Sequence, residues 1–330
     1  MTLPGKCRLP ADWVEQLAMP VIAAPMFLVS SIDLVMEACR NGVIGSIPTV
    51  NARTPQILDE WLGDLTRRLD AARAAGEKVA PWALSLITHS TNQRLGDDLE
   101  LCLKYKPPLV ITALGSPKPA LEAIHSYGGL VFADVNTPEY ARKAADAGAD
   151  GLVLVCSGAG GHTGQLAAPA FVEAVREFYD GIIVIGGAIG NGNAVRSAQA
   201  LGADLVYVGT RFIASNESLA DERYKNMVIE CQSKDLVLTN AITGGWAYKL
   251  RPSLIAVGLN PDELRNGGKF DMNYADKQPK AWKDIWSAGQ GVGAVRKAEP
   301  AAEIIARLRD EYAGAIAAEK RDPWSQKYST

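Results

Sequence analysis

Short apolar segments recur along the first two-thirds of the chain and dominate its hydrophobic pattern. They are largely continuous, and they do not alternate with polar residues. Continuous apolar runs are typical of parallel strands that are covered on both faces. We therefore predict eight β-strands, at residues 20–26, 42–49, 82–87, 109–114, 130–135, 151–156, 182–188 and 205–209.

Most of the segments between these strands carry apolar residues at three- and four-residue spacing, which indicates helices that bury one face. Residues 148–150 and 202–204 both read Gly-Ala-Asp, a helix stop followed by entry into the next strand. Pro138, after Asn136 and Thr137, marks a helix start. The predicted helices are at residues 31–40, 54–75, 138–147, 168–179 and 193–201.

Eight β-then-α units within about 210 residues predict an α/β fold of the (β/α)8 TIM-barrel type. An open, doubly wound sheet is the alternative. We assign residues 1–213 to the barrel. We assign residues 214–295, which show no further strand series, to a cap segment over the barrel mouth. Residues 296–330 would form a C-terminal helix that packs on the barrel, followed by a polar tail.

Composition and charge narrow the class of protein. The 330 residues are 48% hydrophobic and 22% charged, with a formal net charge of -3. This balance does not suggest binding to nucleic acid or to an anionic membrane. No apolar run approaches the roughly 18 residues that a membrane helix needs. The five cysteines show no metal-binding spacing, so we expect a reduced, cytoplasmic protein without a metal site.

The most informative segment is residues 157–164, Ser-Gly-Ala-Gly-Gly-His-Thr-Gly, which follows the sixth strand. Loops after barrel strands carry the chemistry of α/β proteins, and glycines let a ligand approach the backbone. His162 in this loop is a candidate catalytic acid or base. His125 falls in a helix-like segment and is expected at the surface, whereas His89 follows strand three and could reach the mouth.

Two further glycine loops point to a phosphorylated ligand. The seventh strand ends in Gly186-Gly187 and the eighth in Gly209-Thr210, where such barrels commonly bind phosphate. The glycines could otherwise serve only as tight turns. Together with Gly160-Gly161 on the preceding strand end, they favour phosphate binding and a flat phosphorylated cofactor. Flavin mononucleotide (FMN) fits best, with Met26 beside its ring.

These motifs resemble the nitronate monooxygenase family, formerly called 2-nitropropane dioxygenases. Flavin-dependent enoyl reductases and NADH:quinone reductases share the same frame. The matching pieces extend from residue 24 to residue 290 and cover most of the chain. They are Ala24-Pro25-Met26, residues 157–164, Gly186-Gly187, residues 209–212 (Gly-Thr-Arg-Phe) and residues 286–290 (Trp-Ser-Ala-Gly-Gln).

The resemblance implies an FMN-dependent enzyme that oxidises alkyl nitronates, or nitroalkanes, with dioxygen. His162 matches the family's catalytic histidine. Two departures concern the flavin site: Ser85 stands where many members have Asn, and Asp134 stands where some relatives have Lys. The implied cofactor-binding residues are Ala24, Pro25, Met26, Ser85, Gly160, Gly161, Gly164, Gly186, Gly187, Val208, Gly209 and Thr210.

Three other functions fit the same residues. The main alternative is an NAD(P)H-dependent flavin reductase that acts on a quinone or an enoyl thioester. The others are a flavin- or phosphate-binding module without turnover and a phosphosugar isomerase-type barrel without flavin. The natural substrate, the electron donor, the roles of Asp134 and Gln290, and the oligomeric state, with a homodimer as one option, stay open at this stage.

Overall fold

A closed barrel of eight parallel strands forms the centre of the protein. The computed structural model describes residues 7–267 and 282–328. The barrel order is β1-β2-β3-β4-β5-β6-β8-β9, and β9 pairs back onto β1. The TIM-barrel prediction is therefore confirmed. The barrel strands are β1 Val21–Ala23, β2 Ile44–Pro48, β3 Trp82–Ile87, β4 Leu109–Ala113, β5 Leu130–Val135, β6 Gly151–Val155, β8 Ile182–Gly186 and β9 Leu205–Val208.

Helices surround the barrel, and several begin at the capping signals of the sequence. The side chains of Thr54, Thr137 and Asn191 each accept a backbone N–H in the first helical turn, which fixes where these helices start. The helices are α1 Ala11–Gln16, α2 Ile32–Arg40, α3 Pro55–Ala74, α4 Leu95–Tyr105, α5 Lys118–His125, α6 Pro138–Ala147, α7 Ala168–Arg176, α8 Gly192–Ala200, α9 Thr210–Ile213, α10 Glu222–Glu230, α11 Arg251–Ala256, α12 Ala301–Glu319 and α13 Pro323–Tyr328.

The two ends of the barrel are built differently. Near the amino ends of the strands, Trp13 of α1 packs against Phe132 of β5, with ring centroids 6.5 Å apart. Both side chains are buried in a cluster with apolar residues from the other barrel strands. This end is therefore closed by packed side chains, and space for a ligand is left at the carboxyl ends of the strands.

A small antiparallel sheet lies over the carboxyl end of the barrel. Its order is β10-β11-β7, with β10 at Leu236–Thr239, β11 at Ala247–Leu250 and β7 at Gly161–His162. No strand series was predicted in residues 214–295, and the described part of that segment contains two short strands, β10 and β11. Strand β11 pairs with β10 on one side and with β7, in the glycine loop after β6, on the other, and this second pairing is a long-range contact that no local pattern reveals.

The C-terminal helix α12 packs against α8. The approach is close because α8 begins at Gly192, where an added Cβ would lie 2.2 Å from the backbone nitrogen of Tyr312. The Gly192 N–H also donates to Glu311 at 2.8 Å, and Tyr312 donates to Gln199 at 2.6 Å. Within the described residues, no helix has the length and apolar character needed to cross a membrane.

Candidate active site

A cavity of about 1480 Å³ opens at the carboxyl ends of the barrel strands. The strand ends form its floor and the small sheet forms part of its roof, with Trp246, Trp282 and Ser287 among the lining residues. Twelve of the thirteen site residues expected from the sequence line this one space. They are Ala24, Pro25, Met26, Ser85, Gly160, Gly161, His162, Gly164, Gly186, Gly187, Gly209 and Thr210.

Val208 is the exception among the expected site residues. Its side chain is fully buried, and it is not part of the described cavity lining. Its carbonyl accepts a hydrogen bond from the Ala24 backbone N–H at 3.0 Å. Val208 therefore joins the last barrel strand to the segment after the first one, directly beneath the cavity.

His162 is held by the roof of the cavity. It lies on β7 opposite Ala247 of β11, and Thr163 next to it donates its backbone N–H to Trp246 at 2.8 Å. The imidazole Nε2 lies 3.1 Å from Thr243 Oγ1, and its ring is edge-on to the indole of Trp282 at 5.2 Å. The strand pairing fixes the backbone, and these two side chains orient the imidazole.

The hydrogen bonds around Thr243 favour one tautomer of His162. The Thr243 hydroxyl donates its one proton to the Gly245 carbonyl at 3.2 Å, so toward His162 it acts as acceptor. This arrangement favours the neutral tautomer with the proton on Nε2 and with Nδ1 as the basic nitrogen. Burial, followed by the nearby Lys249 cation, lowers the pKa of His162 to about 4. At neutral pH the ring is therefore an uncharged base.

A polar pair lies on the barrel floor. The Tyr207 hydroxyl donates to Asp134 at 3.2 Å, and both side chains line the cavity. Burial raises the pKa of Asp134 to about 7, which the Tyr207 hydrogen bond partly offsets. The sequence left the role of Asp134 open, and the structure gives it a tyrosine partner inside the cavity.

Three backbone loops meet at one side of the cavity. The Gly158 carbonyl accepts the backbone N–H groups of Ala188 at 3.2 Å and Gln290 at 2.9 Å. Thr210 Oγ1 accepts the Gly289 N–H at 2.9 Å. A Cβ at Gly160 would lie 2.8 Å from the Gly289 nitrogen, so this loop contact requires glycine.

Gln290 ties the loop that contains it to the roof sheet. Its Nε2 donates to the Tyr248 hydroxyl at 2.9 Å, while its backbone N–H holds the loop after β6. The sequence left the role of Gln290 open, and these contacts fasten its loop at the cavity, which the neighbouring Gly289 and Gly291 line. Arg211 lies apart from the cavity, and its guanidinium donates to the Ala294 carbonyl.

The other two histidines differ in position. His125 is exposed at the end of α5 and lies 2.8 Å from Asp150, which agrees with the surface position expected for it. His89 lines the outer part of the cavity and contacts Thr91 at 2.8 Å. Unlike His162, it is not part of the small sheet over the barrel. In the described part of the chain, no group of three or more potential ligands could hold a metal ion.

Three residues that the sequence analysis did not propose as site residues shape the setting of His162. Thr243 orients the imidazole, Trp282 packs on it, and Lys249 acts on its pKa. All three come from the segment over the barrel. Their contacts with His162 depend on the pairing of β7 with β11, which the local sequence does not show. The one local sign of a site residue was a lysine inside an otherwise apolar segment, Ala247–Leu250.

A TIM barrel that holds glycine loops and a half-buried, uncharged histidine at its carboxyl end defines a barrel enzyme with a site for a small organic ligand. The family model "Nitronate monooxygenase" matches residues 13–311. The chain belongs to the nitronate monooxygenase family, a class of flavin-dependent oxidoreductases.

Individual relatives agree with this assignment. A nitronate monooxygenase of Neurospora crassa is 26% identical over 350 residues, covering 91% of each chain. One of Paraburkholderia phytofirmans is 26% identical, covering 88% of this chain and 92% of its own. The alignment to a further curated relative covers 65% of this chain and only 61% of that relative. A solved nitroalkane oxidase from Streptomyces ansochromogenes superposes with a TM-score of 0.74 at 23% identity, covering 93% of this chain and 99% of its own, and shares the fold.

Proposed function

We propose that this protein binds FMN and oxidises alkyl nitronates with dioxygen, with nitroalkanes as a second substrate class. The observation that carries the proposal is the position of His162, a half-buried, uncharged base in the wall of a large cavity at the carboxyl end of the barrel. Family membership supplies the class of reaction. The site supplies the residues that would carry it out.

The residues present fit a flavin nucleotide. The cavity, at about 1480 Å³, has room for a flavin and a small substrate together. The Ser287 hydroxyl lines it, is buried, and has no hydrogen-bond partner among the described residues. When bound, FMN would supply the two-electron redox chemistry and the reaction with dioxygen. Met26 and Ser85 would contact the ring system.

The phosphate would be held by the glycine loops after β8 and β9. Gly186, Gly187, Gly209 and Thr210 line the same side of the cavity, and loops of this position and composition suit a phosphate group. Thr210 uses its hydroxyl as an acceptor toward Gly289, so the hydroxyl proton remains available for a phosphate oxygen. Gly160, Gly161 and Gly164 would line the flavin.

His162 would act at Nδ1. For a neutral nitroalkane, Nδ1 takes the α-proton and leaves the nitronate anion, while Thr243 keeps the other nitrogen in place. The imidazolium formed in this step can then donate from Nδ1 to a nitronate oxygen. A substrate that is already a nitronate needs no proton transfer, so it should depend less on His162. The roof residues, including Trp246 and Trp282, would exclude water from this step.

An anaerobic absorbance titration of the purified protein tests the proposal. Flavin bands that bleach with propionate 3-nitronate, and return when air is admitted, are the expected result. Bleaching by NADH or NADPH alone would instead place the protein among flavin reductases that act on quinones or enoyl thioesters. A colourless protein that cannot be reconstituted with FMN would contradict both.

Variants separate His162 from a purely structural role. His162→Ala should retain flavin and lose turnover of a neutral nitroalkane by about 100-fold or more. His89→Ala is the matched control, because His89 also lines the cavity but has no contact with Thr243. Equal losses in both variants would remove His162 from the mechanism.

A further inference from the structure

A buried lysine stands beside the candidate base without an ion-pair partner. Lys249 on β11 is fully buried, and its Nζ makes no hydrogen bond within the described residues. Nor does it form an ion pair there. A buried ammonium without a partner is unfavourable, because it has lost its hydration and gained no opposite charge. Its presence at this position calls for a function.

The surroundings of Lys249 lead directly to the cavity. Its Nζ lies 3.4 Å from the centre of the Trp282 ring, and the same indole packs on His162. Ser287, whose hydroxyl is also buried and unpartnered among the described residues, is bridged to Lys249 across an antiparallel pair. Trp282, His162 and Ser287 line the cavity, whereas Lys249 lies behind them.

Within residues 7–267 and 282–328, the charged groups on neighbouring elements leave the Lys249 cation uncompensated. Strand β10, Leu236–Thr239, contains no charged residue, and β7 contributes only His162. The segment from Trp282 to Trp286 contains Lys283 and Asp284, neither of which pairs with Lys249. Of the residues close to Lys249 in the chain, Arg251 of α11 pairs with Asp262 at 3.0 Å, and Tyr248 of β11 accepts a hydrogen bond from Gln290.

We propose that Lys249 makes the His162 side of the cavity selective for an anionic substrate, acting through space from behind the Trp282 indole. This inference deepens the proposed function, since a nitronate is an anion and its parent nitroalkane is neutral. An anion placed next to His162 would supply the opposite charge that the described residues do not. Burial lowers the pKa of Lys249 to about 7, and a bound anion would raise it again.

Lys249 is thus a positioning residue, which acts through the field in the cavity and need not touch the reacting atoms. Its cation also works against a proton on the imidazole, since it contributes to the low pKa of His162. The same charge therefore has two effects. It favours an anion in the site, and it helps to keep His162 in its basic form.

The test compares the flavin-loaded wild type with Lys249→Met, Lys249→Gln and Lys249→Arg. The chain has three histidines, so the His162 ring can be followed by NMR after histidine labelling, with His89→Gln and His125→Gln for assignment. In the Met and Gln variants, the pKa of His162 should rise by about half a unit to one unit. Lys249→Arg keeps the charge and should resemble the wild type.

Nitrate, a planar and unreactive oxyanion, serves as the binding probe. Its effect on the His162 resonances should need about tenfold more nitrate in the Met and Gln variants than in the wild type. In the wild type, the affinity should also fall as the pH rises through 7, because Lys249 loses its proton there. An unchanged His162 pKa, or equal nitrate affinity in all four proteins, would overturn the proposal.

Kinetics give a third readout that a merely structural role would not produce. The KM for propionate 3-nitronate should rise about tenfold in Lys249→Met, with a smaller change in kcat, while the KM for neutral nitroethane stays the same. Equal rises for both substrates would contradict an electrostatic role. The NMR measurements need no turnover, so they remain decisive even if the protein proves not to oxidise nitronates.

Discussion

At the scale of single residues, the chemistry of the site depends on how two titratable groups are buried. His162 lies in the roof with a pKa lowered to about 4, and Asp134 lies on the floor with a pKa raised to about 7. Both shifts arise mainly from burial, and in both cases burial favours the neutral form. At neutral pH, the cavity therefore presents an uncharged base above, and below it an acid whose pKa is raised to about 7.

The first prediction concerns the threonine that orients His162. Thr243→Val removes the acceptor for Nε2, so the imidazole can rotate or change tautomer, and kcat/KM for a nitroalkane should fall about tenfold. Thr243→Ser keeps the hydroxyl and should stay near the wild-type rate. Steady-state kinetics check both variants. If the valine variant is as active as the serine variant, the hydrogen bond does not orient the base.

The second prediction concerns the pH dependence of stability at Asp134. Because its folded-state pKa lies above the ordinary value, its favourable contribution is present at low pH and is lost as the pH rises through about 7. Asp134→Asn should therefore be stabilised relative to the wild type at pH 8, by on the order of 2–4 kcal/mol more than at pH 4. Urea unfolding of the two proteins at both pH values measures this difference.

The control for Asp134 is a carboxylate at the surface. Asp310 has a side chain that is 79% exposed on α12, so Asp310→Asn should show no comparable pH-dependent gain. A gain of the same size in both variants would mean that the effect comes from net charge. In that case, burial on the barrel floor would not be its cause.

At the scale of elements, the barrel strands follow from local pattern and the roof sheet does not. Strands such as Ile182–Gly186 are buried along their whole length and read as continuous apolar runs. Strand β7 has only two residues, Gly161 and His162, and no hydrophobic pattern. Its partner β11 lies more than eighty residues further along the chain, so the pairing is purely tertiary.

The same distinction explains which of the expected residues lie together at the cavity. Twelve of the thirteen expected residues line the cavity because glycine loops at barrel strand ends converge in any fold of this type. Thr243, Trp282 and Lys249 were not proposed, because their contact with His162 depends on the roof sheet. Helix α4, Leu95–Tyr105, was also missed, although its acidic first turn and its apolar spacing are ordinary helix signals.

The third prediction tests how the Gln290 loop is fastened to the roof sheet. Tyr248→Phe removes the hydroxyl that accepts from Gln290 Nε2. The loss of one such hydrogen bond, at about 1 kcal/mol, should speed amide exchange at Gly289 and Gln290 by about fivefold. Hydrogen-exchange mass spectrometry of the flavin-loaded protein measures this.

A second tyrosine offers the matched control for the loop. Tyr127 also makes a single hydroxyl hydrogen bond, to the Pro107 carbonyl at 3.1 Å, but it lies outside the cavity lining. Tyr127→Phe should leave exchange at Gly289 and Gln290 unchanged. Equal acceleration in both variants would indicate general destabilisation, and the loop would then not depend on its contact with Tyr248.

At the scale of the whole molecule, stability and chemistry occupy opposite ends of the barrel. The end near α1 is filled by Trp13, Phe132 and their apolar neighbours, while the carboxyl end holds the cavity. TIM barrels separate these roles generally, because the loops that vary with function all lie at the carboxyl end. A change at the closed end should therefore alter stability without altering the site.

The fourth prediction is the consequence of that separation. Trp13→Ala empties the space under Phe132 and should lower the free energy of unfolding by about 3–5 kcal/mol, measured by denaturant titration. Val14→Ala on the same helix is the control, because Val14 is 49% exposed and should change little. If the two ends are independent, the Trp13 variant below its unfolding midpoint keeps the wild-type flavin spectrum, His162 titration and nitronate KM. A loss of flavin from folded Trp13→Ala protein would show that the packed end of the barrel also sets the geometry of the cavity.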